Sequence, residues 1–200
     1  MRVETLLNHM EHYKGFVYVA CELNRDADVL EVQVRERAGT RVSCPRCGRR
    51  CTVYDHLPPR RYRGVPLRVL EVVLVYSPRR ADCPSCGPHA EQVPWAEGKS
   101  PLTKSYAWFL ARWAKRLPWN KVAGIFGCGW HQVCEAVRQA VDWGLEHRDL
   151  SGVTAIGVDE IYFGVKSKYQ TLVYQLCSAK LRLLFIAEGH KEGALSGILK

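Results

Sequence analysis

The sequence predicts a modular α+β protein, and three observations predict it. Two near-copies of Cys-Pro-x-Cys-Gly flank a β-branched stretch, helical periodicity spans residues 100–141, and strand patterns return after Gly152. With 47% hydrophobic residues in 200, the chain can bury a core and is not a disordered tail. The apolar run Val72-Val73-Leu74-Val75-Tyr76 suits a strand, and no apolar run approaches the roughly 18–20 residues of a membrane span. The N-terminus, Met1-Arg2-Val3-Glu4-Thr5, lacks the basic-then-apolar layout of a signal peptide. Together these features point to a cytoplasmic chain, where clustered cysteines hold metal more often than they form disulfides.

Residues 1–41 form an acidic N-terminal segment with a helix-like start (Leu6, Leu7, Met10) and a strand-like end, Val29 to Val34. Residues 42–98 contain Cys44-Pro45-Arg46-Cys47-Gly48 and Cys83-Pro84-Ser85-Cys86-Gly87. In such a knuckle the turn points both thiolates at one ion, so Cys44, Cys47, Cys83 and Cys86 supply the four ligands of a closed tetrahedral Zn²⁺ site. Such a site is structural because no position is left for water. The gap between the knuckles exceeds the usual spacing of about 15–20 residues. The β-branched run Arg68–Tyr76 fills it as a hairpin. Cys51, His56 and His89 lie near enough to compete as ligands and rank below the four. Cys21, Cys128, Cys134 and Cys177 sit in apolar segments and read as core thiols.

The net charge of +9 is concentrated. Residues 41–80 carry ten basic residues, all arginine, against Asp55 and Glu71. Arginine grips phosphate oxygens bidentately and keeps its charge, so Arg60, Arg61 and Arg63 are candidate nucleic-acid contacts. A merely solvated basic face is the bland alternative.

Residues 99–150 read as three helices. Ser100-Pro101 suits an N-cap followed by the first helical position, and Tyr106, Phe109, Leu110, Trp113, Ala114 and Leu117 recur on one face. A short helix carries Trp119, Val122, Ala123 and Phe126. Gly127-Cys128-Gly129 turns into a third helix with Val133, Cys134, Val137 and Val141 inward. This is the layout of a helix-turn-helix, whose last helix enters the major groove at its N-terminal end. His131, Gln132 and Arg138 then face DNA. An ordinary helical bundle with a wet polar face explains the same pattern. Trp113, Trp119 and Trp130 read as core anchors.

Residues 151–200 return to strands at Ala155–Phe163, Thr171–Cys177 and Leu183–Ala187, with a helical stretch from Glu192 to Leu199, as at the opening of an α/β domain. Asp159 interrupts an apolar strand and is a candidate Mg²⁺ ligand. Alternation puts Glu160 on the opposite face.

The order of parts resembles bacterial insertion-sequence transposases of the ISL-three family. The likeness runs from about Val42 to the end, and is most specific at the two knuckles, at Gly157-Val158-Asp159-Glu160 and at Tyr169-Gln170-Thr171. The resemblance implies a zinc ribbon and a helix-turn-helix that bind the terminal inverted repeats of the element. It implies an RNase H-like catalytic domain with a DDE triad on Mg²⁺ or Mn²⁺, performing DNA cleavage and strand transfer during DNA recombination. Asp159 matches the first acid of that triad. The second Asp and the Glu have no counterpart here, so the chain reads as the N-terminal portion of a truncated transposase, binding DNA without cutting it. The implied partners are double-stranded transposon ends and, in a homo-oligomer, further copies of the chain, on the bacterial nucleoid with no membrane. A non-enzymatic DNA-binding regulator is the alternative.

Overall fold

The computed structural model describes residues 3–162, 164, 169–176 and 182–188, in two compact units, Met1–Glu146 and His147–Lys200. The expected core thiol Cys177 and the helical stretch from Glu192 lie outside the described residues. Among the described residues there is no helix long and apolar enough to cross a membrane.

The first unit begins with helix α1 (Val3–Met10) and a hairpin of β1 (Phe16–Asn24) and β2 (Val29–Glu36). Strands β3 (Val42–Ser43) and β4 (Arg50–His56) follow, then β5 (Arg60–Arg63) and β6 (Glu71–Tyr76), then β7 (Arg79–Cys83) and β8 (Gly87–Ala90). Helices α2 (Lys104–Ala114), α3 (Trp119–Ile125) and α4 (Trp130–Glu146) complete it. The strands form two sheets, β1-β2-β6-β5 and β3-β4-β7-β8.

The expected hairpin between the knuckles forms, with Arg60 opposite Tyr76, but it joins the N-terminal strands and not the ribbon. The reason is burial. Val72, Val73, Leu74 and Tyr76 of β6 are all buried, so the strand needs neighbours on both sides, and β2 supplies one through a parallel ladder. The core beneath is aromatic. Trp95 is fully buried and meets Phe16, Tyr62 and Tyr76 edge-on at 4.9, 5.9 and 5.2 Å between ring centroids.

At Pro78 the chain leaves this sheet for the ribbon, and a buried ion pair holds the crossing. Arg79 is 5% exposed; its guanidinium donates to both oxygens of Glu91 and to the Thr40 carbonyl, with Glu36 at 3.5 Å. Every donor of that buried cation therefore has an acceptor nearby, which is the condition for burying it.

The helical unit differs from expectation at both ends. Helix α2 starts at Lys104 with Thr103 as N-cap, its hydroxyl accepting from the Tyr106 amide, and not at Ser100-Pro101. The Arg63 amide donates to the Pro101 carbonyl and the Thr103 amide to the Arg63 carbonyl, so residues 101–103 are spent on an isolated parallel bridge between Leu102 and Arg63 of β5. On α4 the buried positions are Val133 and Ala136, and Trp143 meets Trp108 of α2 at 5.3 Å. Val141, expected inward, is exposed. Trp113 and Trp130, expected as core anchors, are 41% and 47% exposed, and Trp119 is partly buried. The anchoring indole of the first unit is Trp95.

The second unit is an antiparallel meander of β9 (Ile156–Tyr162), β10 (Tyr169–Gln175) and β11 (Arg182–Glu188), in spatial order β11-β10-β9. Leu172 and Val173 of the central strand are buried.

Replacing Trp95 by Ala should cost about 3–5 kcal/mol in urea unfolding followed by circular dichroism, as expected for a large core aromatic. Trp130→Ala, at a half-exposed site, should cost markedly less. Equal losses for the two would contradict this assignment of the core.

Candidate metal centre and nucleic-acid interface

Each knuckle is a tight turn at a strand end. In the first, the Cys44 amide donates to the Arg49 carbonyl and the Gly48 amide to the Cys44 carbonyl. Gly48 and Gly87 have φ of +72° and +78°, with open space where a Cβ would stand. The left-handed backbone, and not crowding, is what calls for glycine there. Strand β4 pairs with β7 antiparallel, Thr52 opposite Asp82, and this register brings the second knuckle beside the first.

The ligand atoms of Cys44, Cys47, Cys83 and Cys86 lie within 4.8 Å of one another, and the Cys47 and Cys83 sulfurs are 3.6 Å apart. Tetrahedral zinc–sulfur bonds of about 2.3 Å place their sulfurs roughly 3.8 Å apart, so the residues fit a closed four-thiolate zinc site. Hydrogen bonds from the amides of Ser85 and then Cys86 pull the Cys83 thiol down to about 6. Cys86 is pushed up to about 12, chiefly by its hydrogen bond with Cys47. Four thiols this close resist sharing several negative charges until a cation neutralises them.

The three competing ligands are not members of this four-sulfur group. Cys51 is buried beside it, with its sulfur directed at the Arg49 carbonyl at 3.3 Å, and burial holds its thiol up. His56 is exposed, 3.9 Å from Glu36. His89 keeps Nε2 buried without a hydrogen-bond partner.

Tertiary contacts sort the ten arginines of residues 41–80. Arg61 pairs with Glu31 at 2.6 Å, Arg63 with Glu71 at 3.0 Å, Arg79 with Glu91, and Arg80 with Asp55, whose carboxyl the Arg80 hydrogen bond holds below the usual range. Arg63 also donates to the Gly127 and Phe126 carbonyls at 2.8 and 3.0 Å, capping the C-terminal end of α3 where Gly127 turns left-handed. Arg60 lies against the Tyr62 ring and donates to the Lys99 carbonyl. Among the described residues Arg41, Arg46, Arg49, Arg50, Arg60 and Arg68 have no carboxylate partner. Four of these, Arg41, Arg46, Arg49 and Arg50, lie nearest the first knuckle and match no nucleic-acid contact expected from the sequence. Their only mark in the sequence is that residues 41–52 contain four arginines and no acid.

On α4, His131 is exposed at the N-terminal end. The Gln132 side chain accepts from the Gly129 amide at 2.9 Å and so caps its own helix. Arg138 is exposed but bridges Glu135 and Asp142. In the second unit Asp159 is exposed on β9, opposite Leu172, and its carboxylate accepts from the Glu160 amide.

Two knuckles converging four cysteines between antiparallel strands define a zinc ribbon. Residues 40–86 match the family described as the zinc-finger of transposase IS204/IS1001/IS1096/IS1165. The chain is similar to two curated Mycobacterium tuberculosis proteins, each named transposase for insertion sequence element IS1557, from strains CDC 1551 / Oshkosh and ATCC 25618 / H37Rv. Each is 27% identical to it over 175 residues, covering 82% of this chain and 37% of the relative. The chain thus spans little more than a third of the length of these relatives. No solved structure matches it. These matches support the resemblance to insertion-sequence transposases of the ISL-three type.

Metal analysis should find one zinc per chain, lost in Cys83→Ser or Cys86→Ser and kept in Cys51→Ala. Zinc retained by both serine variants would move the site elsewhere. Acid should release the ion, because protons compete for the thiolates.

Proposed function

We propose that this chain is the DNA-binding part of an insertion-sequence transposase that recognises the element's terminal inverted repeats. The observation that carries the reading is the converged four-cysteine site inside a segment that matches the zinc-finger of such transposases. The transposase name of relatives aligned along 82% of the chain supports it. The ribbon (42–98) and the helical segment (99–150) share the binding, residues 1–41 brace the ribbon's inserted hairpin, and residues 151–200 open the catalytic domain. The short α3, the turn at Gly127-Cys128-Gly129 and the longer α4 support a helix-turn-helix, with exposed His131 aimed at bases. Arg60 is the hairpin arginine carried into this reading, because Arg61 and Arg63 are ion-paired.

The antiparallel meander with Asp159 exposed on its first strand supports the opening of an RNase H-like domain, in which Asp159 is the first carboxylate of a DDE site. Mg²⁺ or Mn²⁺ would there activate the attacking oxygen and stabilise the leaving one. Asp159 is suited to hold one such ion with a charged oxygen on a rigid strand. Two ions need more carboxylates than the described residues bring to it. Activity thus belongs to a protein of the relatives' length, acting on nucleoid DNA as a homo-oligomer.

In a gel-shift assay the chain should retard a duplex bearing the terminal repeat at lower concentration than a scrambled duplex. Affinity should fall steeply with salt, with a slope of about −0.9 per phosphate contacted. Added Mg²⁺ should produce no cleavage by this chain. In a transposase of full length, Asp159→Asn should leave binding intact and abolish cleavage. Undiminished cleavage by the Asn variant would remove Asp159 from the site, and equal affinity for the scrambled duplex would remove repeat recognition.

A further inference from the structure

We propose that the first zinc knuckle, through Arg41, Arg46, Arg49 and Arg50, is the face that grips the phosphate backbone of double-stranded DNA, in preference to the arginine-rich hairpin. The inference rests on the reading of the chain as a duplex-DNA binder and names a surface that reading did not.

Charge availability is the first argument. An arginine already paired with a carboxylate must break that pair before it can neutralise a phosphate, whereas a free one releases counterions directly. Arg61, Arg63, Arg79 and Arg80 are all paired. Of the two other arginines in residues 60–80, Arg60 is engaged with the Lys99 carbonyl and the Tyr62 ring, while Arg68 stands apart from any other unpaired arginine in sequence. The four knuckle arginines are exposed and have no carboxylate partner among the described residues. Residues 41–52 contain no acid, so the four cations stand together without an internal counterion.

Placement is the second argument. In the β3–β4 pair, Val42 faces Cys51 and Ser43 faces Arg50. Val42 and Cys51 point inward, being buried, so strand alternation puts Ser43 and Arg50 on the outer face, with Arg41 beside Ser43 on the same side. Diagonal neighbours across such a pair lie about 7–8 Å apart. Arg46 sits within the knuckle turn between two ligands, and Arg49 reaches the second knuckle through the Ser85 hydroxyl at 3.3 Å.

Rigidity is the third. The turn carrying these side chains is closed by the Cys44–Arg49 and Gly48–Cys44 backbone hydrogen bonds and would be clamped by the metal. Little backbone entropy is then lost on binding. Four thiolates around a divalent ion carry a formal charge of −2, and Asp82 adds one more negative charge nearby. Cys44 and Cys83 are buried and Cys86 is half-buried, so of the four ligands Cys47 alone is exposed among the four exposed arginines.

The test measures affinity of the full chain for a fluorescent 30-base-pair duplex of arbitrary sequence, about 30 pairs being ample for the backbone term, as a function of salt. Replacing Arg41, Arg46, Arg49 and Arg50 together by Gln should lower the slope of log K against log salt by about 3–4, and weaken binding on the order of a thousand-fold at about 0.1 M salt. Arg61→Gln should leave the slope unchanged. Zinc content and the melting curve of the fourfold variant should match the parent. If they do not, the single variants Arg46→Gln and Arg50→Gln should each lower the slope by about 0.9. A slope unchanged by the knuckle variants, in a chain that binds, overturns this inference and leaves the DNA-binding reading standing. No binding by the parent chain overturns both. Tighter binding of an RNA duplex of the same length overturns the choice of DNA.

Discussion

Four cysteine sulfurs held within 4.8 Å of one another are the constraint on which the ribbon depends. The apolar core of the β3-β4-β7-β8 sheet consists of Val42, Cys44, Cys51, Ala81 and Cys83, with Cys86 packed against it. So small a cluster cannot offset the conformational entropy of ordering four strands. Metal coordination does that work in a ribbon, and binding of the ion becomes folding free energy. The metal also closes a long loop, because the chain between the knuckles leaves the ribbon altogether and returns.

That excursion gives the first unit its architecture. Strands β5 and β6 travel to the sheet started by β1 and β2, and the return to the ribbon at β7 is pinned by buried Arg79 with Glu91 and Glu36. Arg63 ties the same hairpin to the helices, ion-paired with Glu71 and capping α3 at Gly127. Arginines in this segment thus perform two distinct tasks. Some are internal fasteners whose charge is cancelled, and others remain available to a polyanion. A count of charges along the chain cannot separate the two.

Much of the candidate site was legible because its signals are local. Two Cys-Pro-x-Cys-Gly turns need only their own residues to point sulfurs inward, and β-branched Val72–Tyr76 announces a strand by composition. The three-helix segment was legible from period 3.6 spacing, and Asp159 stood out as an acid in an apolar strand. Other features depended on long-range contacts. The N-cap moved from Ser100 to Thr103 because residues 101–103 pair with Arg63, nearly forty positions earlier in the chain. The indoles of Trp113 and Trp130 have the right spacing to be buried, yet they stand 41% and 47% exposed, while Trp95, in an aperiodic stretch, fills the core.

Taken alone, the sequence determined the metal-binding chemistry, the succession of strand, helix and strand segments, and a concentration of positive charge in residues 41–80. Each of these follows from residue type and near-neighbour spacing. The tertiary structure decided which sheet the inserted hairpin joins and which arginines keep a free guanidinium. Strand partners and ion pairs are chosen by burial and proximity between residues far apart in the chain, as Arg61 meets Glu31 and Arg79 meets Glu91.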